Sequence, residues 1–308
     1  MSAWRAECFG KLPLHGDFIR HQASPELLEL DRWIQEGVGT ARARADWSST
    51  WPATPPLRFV RHAPKARLLV GVMIPSRDSA GRDYPFVVAS ALDARELARQ
   101  PELAPLACEP MFAALEELLA RSWDQGSYRD VQAALDRTGG QLDLRAAERA
   151  LAQALGETSL ERLLEEELGA WDERRFLLLG NAASLLGPRS RPRFTLQLPA
   201  GKEPLRTAVW MSLVTALRGG AERFPPLCTW STSGPGAEAG LRLLLTDLAG
   251  EHFLPLVMRH LASDACDLAR EGLESQSLMQ KSRERFASLA VPGVRLSELQ
   301  QKLAAAAR

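Results

Sequence analysis

Residues 9–20, FGKLPLHGDFIR, set Lys11, His15, Asp17 and Arg20 around Gly10, Pro13 and Gly16, and three kinds of chemistry could use such a set. A Gly-Lys pair suggests phosphate. A phosphate loop, however, needs GxxxxGK[ST], with backbone N–H groups wrapped round the phosphates and a hydroxyl for magnesium. Here Leu12 follows Lys11, and no glycine stands five residues before Gly10. His15, Asp17 and His21 are metal-ligand types that would share one face of a strand. Pro13 and Gly16 make this a turn instead, and a zinc site usually adds a clearer fourth ligand or a His pair on a helix. A serine nucleophile has no GxSxG elbow to sit on, since SGPG at 233–236 has the wrong order. His252 and His260 fall two turns apart in a helical pattern without a partner glutamate. Cys8, Cys108, Cys228 and Cys266 form no CxxC and read as free core thiols in a reducing compartment. No catalytic group, metal or cofactor is therefore expected.

The same residues have a second use. A carboxylate after Gly16 can accept backbone N–H bonds and fix the turn, with Lys11 or Arg20 as an ion-pair partner for Asp17. A rigid charged loop of this kind suits recognition. A second one, RDSAGRD (77–83), turns on Gly81, and Asp78 is placed to cap backbone N–H groups there. If both turns bound strands of one sheet, they form one charged surface from Lys11, Asp17, Arg20, Ser76, Asp78 and Arg82. An enzyme of unrecognised type using Lys11, His15, Asp17, Asp78 and Arg82 is the competing reading. It requires those groups to converge in a buried pocket.

Elements must hold these turns. Residues 5–10 and 17–20 read as short extended segments. From Ser24, a good N-cap with Pro25 behind it, Leu27, Leu30, Ile34 and Val38 recur at helical spacing beside Trp33, giving an amphipathic helix of about 20 residues to cover a sheet. LRFVR (57–61), RLLVGVMIPS (67–76) and PFVVASAL (85–92) read as strands. The last two join through the Gly81 turn into an antiparallel hairpin. A helix follows over 111–123. Residues 127–187 read as several short helices, clearest over 146–155 and 159–171. Strands are predicted at 193–198, 226–232 and 241–246, the last two around the turn SGPGAEAG. Helices are predicted at 205–217, at 252–273 after Pro255, and twice in the tail on either side of VPG (291–293). Helices and strands mix without a regular βαβ alternation, so the spacing favours an α-β-α sandwich with a mainly antiparallel sheet, an α/β fold.

Composition narrows the partners. The chain has 308 residues, 45% hydrophobic and 25% charged, enough for a normal core. Lys+Arg and Asp+Glu number 38 each, so no global field drives the chain onto nucleic acid or anionic lipid. The eight tryptophans are dispersed and read as packing anchors, not as a base-stacking surface. No stretch approaches the ~20 apolar residues of a membrane helix, and MSAWRAECFG has no apolar signal core. A cytoplasmic protein without membrane insertion is expected.

Four motifs occur in order: FGKLPLHGDFIR (9–20), LDRWIQEGV (30–38), LRFV (57–60) and GVMIPSRDSAGRDYPF (71–86). Together they resemble the TagF (ImpM) family of type VI secretion-associated proteins. The resemblance is close over residues 5 to about 125 and loose over about 205 to 260, where TWST (229–232) carries one tryptophan instead of a pair. It implies a longin-like sandwich and a cytoplasmic, post-translational negative regulator without catalytic activity. The implied partner is the forkhead-associated scaffold protein of the secretion system. The motif positions, as partner-binding or signature-loop residues, are Lys11, His15, Gly16, Asp17, Arg20, Trp33, Ser76, Asp78, Gly81 and Arg82. The expected organisation is a TagF-like region at 1–126, a helical insert at 127–190, a part at 191–273 completing the α/β fold, and a helical tail at 274–308. A structural or assembly role in the secretion apparatus is the alternative to regulation.

Overall fold

The computed structural model describes the chain except for residues 1, 45–46, 63–66, 94, 122, 124–126, 188–189, 191–194, 201–202, 232–239, 258–264 and 307–308. The described residues form β1 (Ser2–Arg5), β2 (Glu7–Gly10), β3 (Ile19–His21), β4 (Leu57–Arg61), β5 (Leu68–Ile74), β6 (Phe86–Leu92), β7 (Gly139–Leu142), β8 (Thr195–Pro199), β9 (Leu227–Trp230), β10 (Gly240–Leu244) and β11 (Ala265–Asp267). Nine make one sheet in the order β11-β8-β10-β9-β4-β5-β6-β2-β3, antiparallel throughout except for parallel β11 and β8. β1 and β7 form a separate antiparallel pair. The fold is thus the expected α/β class with a mainly antiparallel sheet.

Strand periodicity sorts the core into two layers. Phe59, Leu69, Met73, Val87 and Ala89 face one side, where Leu27, Leu30, Trp33, Ile34 and Val38 of the Pro25–Ala41 helix cover them. Val60, Val70, Val72, Phe86 and Val88 face the other, against Met111, Phe112 and Leu115 of the Glu109–Leu119 helix. The first helix starts where expected: Ser24 accepts the Leu27 N–H, and Pro25 occupies the first turn. Buried Glu7 fixes that start, taking the Ser24 N–H at 2.6 Å and the Ser24 hydroxyl at 2.9 Å. Trp33 is 4% exposed, donates to the Ala249 carbonyl at 2.7 Å and meets Phe253 edge-on at 5.5 Å.

The predicted helices of the middle are present as Tyr128–Arg137, Leu144–Glu157, Leu160–Leu168 and Arg174–Leu185. Their apolar faces join the second core layer through Val131, Leu151, Leu163 and Phe176. The tail supplies the Gln276–Phe286 and Leu296–Ala306 helices on either side of VPG. It is tied to the middle by backbone bonds, Leu160 N–H to Val294 at 2.8 Å and Leu296 N–H to Thr158 at 3.0 Å.

Three expectations need correction. Of the helix predicted at 252–273, residues 258–264 lie outside the described residues, and the rest holds a short Phe253–Val257 helix and β11, because β8 offers an open parallel ladder that outcompetes helical periodicity at 265–267. β1 and β7 lay outside the predicted elements, and β7 interrupts the helical middle. His252 lies in a Gly250–His252 turn of 3₁₀ helix, not on a regular helix. His260 and the SGPG turn at 233–236 lie outside the described residues. Among the described residues, no helix is long and apolar enough to cross a membrane.

Candidate functional site

The loops after β2 and β5 meet on a single buried carboxylate. β2 ends at Gly10, where φ is +129° and a Cβ would stand 2.1 Å from the Pro85 carbonyl oxygen, so only glycine lets the chain leave the strand here. β5 ends at Ile74, and the next turn closes with Gly81 N–H on the Asp78 carbonyl at 2.9 Å and Tyr84 N–H on Ser76 at 3.0 Å. Gly81 has φ +78°, the left-handed conformation that this turn requires.

Asp78 is the hub. Its side chain is fully buried. Oδ1 accepts the backbone N–H groups of Ala80 at 3.0 Å and Arg82 at 2.8 Å. Oδ2 accepts Lys11 Nζ at 2.7 Å and Arg82 Nε at 2.6 Å. Burial alone would raise the Asp78 pKa. The Lys11 hydrogen bond, and then the Arg82 N–H and guanidinium, outweigh it and hold the carboxyl well below its usual range. Further bonds lock the two loops: Ser76 Oγ to the Lys11 carbonyl at 2.6 Å, Ser79 N–H to the His15 carbonyl at 3.1 Å, and Arg82 Nη2 to the Gly16 carbonyl at 2.5 Å. The expected Asp78 cap is present, and the two turns form one surface.

A second buried carboxylate, Asp31 on the Pro25–Ala41 helix, organises the neighbouring ground. It takes Arg20 Nη2 at 2.6 Å and the Tyr84 hydroxyl at 2.8 Å. Burial, and then the Asp31 charge, push the Tyr84 phenol up, so it stays a donor. Phe18 stands edge-on to Tyr84 at 5.2 Å, and the Arg20 guanidinium lies 5.5 Å from the Phe18 ring centre. Tyr128 donates its hydroxyl to the Arg20 carbonyl at 2.6 Å.

Two pairings differ from expectation. Lys11 and Arg20 go to Asp78 and Asp31, not to Asp17. Asp17 is exposed, and its own N–H donates to His15 Nδ1 at 3.1 Å. The reason is geometric: the turn is fixed by loop-to-loop bonds, so it needs no cap from Asp17. His15 and His21 are also kept apart, with His21 Nε2 2.9 Å from Asp136 and the His15 ring 6.3 Å from that of Tyr128. Among the described residues no group of three or more His, Cys, Asp or Glu side chains could hold a metal ion. Trp33 lies in the core, away from the loop surface. Asp31 and Tyr84, central to the second network, carried no sequence signal beyond membership of the motifs.

A cleft of about 280 Å³ opens beside the hub, lined by residues of both loops together with Trp51 and Trp123. Sequence reasoning gave neither tryptophan a place there.

Residues 7–138 match the TagF N-terminal domain, Type VI secretion system-associated. The match agrees with the resemblance drawn from the four motifs over that span. No curated protein matches the chain. Similarity also extends to the crystal structure of PA0076 from Pseudomonas aeruginosa PAO1, at 23% identity and a TM-score of 0.36, over 43% of this chain. That likeness takes in 62% of PA0076, so the chain spans less than two thirds of its length.

Proposed function

We propose that this protein, which matches the TagF N-terminal domain over residues 7–138, is a cytoplasmic post-translational negative regulator of type VI secretion. It acts by binding the forkhead-associated scaffold protein through the surface where its two motif loops meet. One observation carries this reading: both motifs converge on Asp78, and their locked turns leave Asp17 and the heads of Arg20 and Arg82 at the surface, the two arginine side chains 48% and 58% exposed. Binding to a preformed charged surface costs little ordering entropy. A non-catalytic role agrees with the saturation of Asp78, whose two oxygens together hold four donors, leaving no free lone pair of ordinary geometry for proton transfer.

The test is recovery of the forkhead-associated protein from native cytoplasm by the intact chain, by Asp17→Ala and by Arg82→Ala. Asp17 is exposed and its carboxylate makes no hydrogen bond or ion pair among the described residues, so its loss leaves stability within about 0.5 kcal/mol. Recovery by the intact chain that disappears in folded variants is the expected result. Recovery that survives both substitutions, or no recovery by the intact chain, overturns the proposal.

A further inference from the structure

The cleft beside the hub has rigid apolar walls. Pro13 comes from the first loop, Trp51 and Pro52 from the segment before β4, Ile74 and Pro75 from the end of β5, and Trp123 from beyond the Glu109–Leu119 helix. Trp51 is held on two sides, stacked on Trp47 with ring centres 4.8 Å apart and donating to the Ser76 carbonyl at 3.3 Å. Pro13 and Pro52 are exposed, while Ile74, Pro75 and Trp123 are half-buried. At about 280 Å³ the space falls below the ~300–1,000 Å³ of pockets that enclose a whole small ligand. It suits one or two side chains of an extended segment, the ligand that proline- and tryptophan-lined grooves take.

The rim is cationic. Arg77 and Arg121 line the cleft and are exposed. Arg121 has no ion pair among the described residues. Arg77 Nη2 stands 3.4 Å from Asp83 Oδ1 without hydrogen-bond geometry, and its side chain is 51% exposed. Arg42 is anchored nearby on the Asp83 carbonyl, and Lys11 and Arg82 sit behind, on Asp78. Among the described residues that line the cleft, Asp83 is the one carboxylate, and Asp78 behind it holds Lys11 and Arg82. In a chain of zero net charge this is a local positive field, and guanidinium groups on a rim engage carboxylates bidentately.

We propose that this cleft binds an acidic, extended segment of a partner protein, with one apolar side chain seated between Trp51, Trp123 and the prolines and flanking carboxylates on Arg77 and Arg121. The inference rests on the binding role proposed above and deepens it by naming the chemistry of the segment recognised. The exposed arginines set on-rate and salt dependence, and the walls hold the anchor.

Selection of displayed random peptides on the full-length protein tests it, run in parallel on the Arg77→Glu/Arg121→Glu variant. The expected enriched sequences are acidic around a central Leu, Phe, Trp or Pro. A synthetic peptide of that consensus, followed by fluorescence anisotropy, should bind the double variant at least about tenfold more weakly. It should also lose affinity between about 0.05 and 0.5 M salt, as screening requires. Both arginines are exposed, so the variant should melt with the parent; Arg77→Gln/Arg121→Gln replaces it if it does not. Neutral or basic enriched sequences, no enrichment, or affinity unchanged in the variant overturns the inference. Acidic peptides bound at the cleft without capture of the forkhead-associated protein overturn the proposed function and leave the cleft reading standing. Capture without acidic selection does the reverse.

Discussion

Replacing Asp78 by asparagine tests whether one carboxylate holds the two motif loops together. Asparagine keeps the shape, and its carbonyl can still accept the Ala80 and Arg82 N–H groups that Oδ1 accepts. The amide end then faces Lys11 Nζ and Arg82 Nε in place of Oδ2. Arg82, with 58% of its side chain exposed, can turn to water, so its share is that of a surface pair, about 0–1 kcal/mol. Lys11, with 13% exposed, cannot, and breaking a buried pair by removing one partner costs about 3–5 kcal/mol. Asp78→Asn should therefore destabilise by about 3–5 kcal/mol, which for a chain of this length is a fall in Tm of about 5–8 °C. Denaturant unfolding of the parent, Asp78→Asn, Lys11→Met and the double variant forms the assay. The double variant should be less destabilised than the two single effects added, by about 2 kcal/mol or more, because the uncompensated ammonium is gone. Strict additivity, or a single-variant cost below about 1 kcal/mol, would refute the hub. The pH profile gives a second reading. The folded pKa of Asp78 is depressed, so its contribution is full above the unfolded value of about 3.9 and is lost as pH falls below it. Asp78→Asn should remove that part of the acid limb.

Two further outcomes follow from local geometry. Gly10→Ala must place a methyl group against the Pro85 carbonyl at positive φ; a loss of about 3 kcal/mol or more is expected from the denaturant midpoint at unchanged slope, and a loss under about 1 kcal/mol would mean that β2 can leave the sheet differently. Burial lowers the His62 pKa, only partly offset by its bond to the Ala98 carbonyl, so the unfolded chain binds the extra proton and stability should fall as pH drops below about 6.5; His62→Leu should flatten that slope, and an identical slope in the variant would assign it elsewhere.

What the sequence made legible follows from where local and tertiary forces agree. β5 and β6 stand out because covered strands need near-continuous apolar runs, β4 because LRFVR alternates, and the Gly81 turn between β5 and β6 has room for one topology. Ser24-Pro25 announces the first helix through its own hydrogen-bonding needs. The Asp78 cap is an Asx turn, made within five residues, and could be read locally. Lys11 and Asp78 lie 67 positions apart, and Arg20 could choose between Asp17 and Asp31 with nothing local to decide. Burial decided: an ion pair is strongest where water is excluded, and only Asp31 is buried there. Residues 265–267 failed for the opposite reason, since a good helical pattern lost to an open strand edge. SAWR and GGQL are too short and mixed to show alternation, and Trp51 and Trp123 meet only through the fold.

The strand order has a consequence for how the chain is made. β4 is central in the finished sheet, bonded to β5 on one side and β9 on the other. Until residues 62–226 have been synthesised, its β9 side is a bare edge reading LRFVR, in which Leu57, Phe59 and Val60 lack their covering layers. At about 5–20 residues per second that exposure lasts on the order of 10–30 s on the ribosome. An unpaired strand edge of this composition is a template for pairing with another chain. A nascent chain stalled before Leu227, or a fragment ending near residue 138, would carry the complete motif surface on a half-sheet prone to self-association. The two halves of the sheet thus have to be delivered together, and chaperone occupancy during synthesis should concentrate on the interval between β4 and β9.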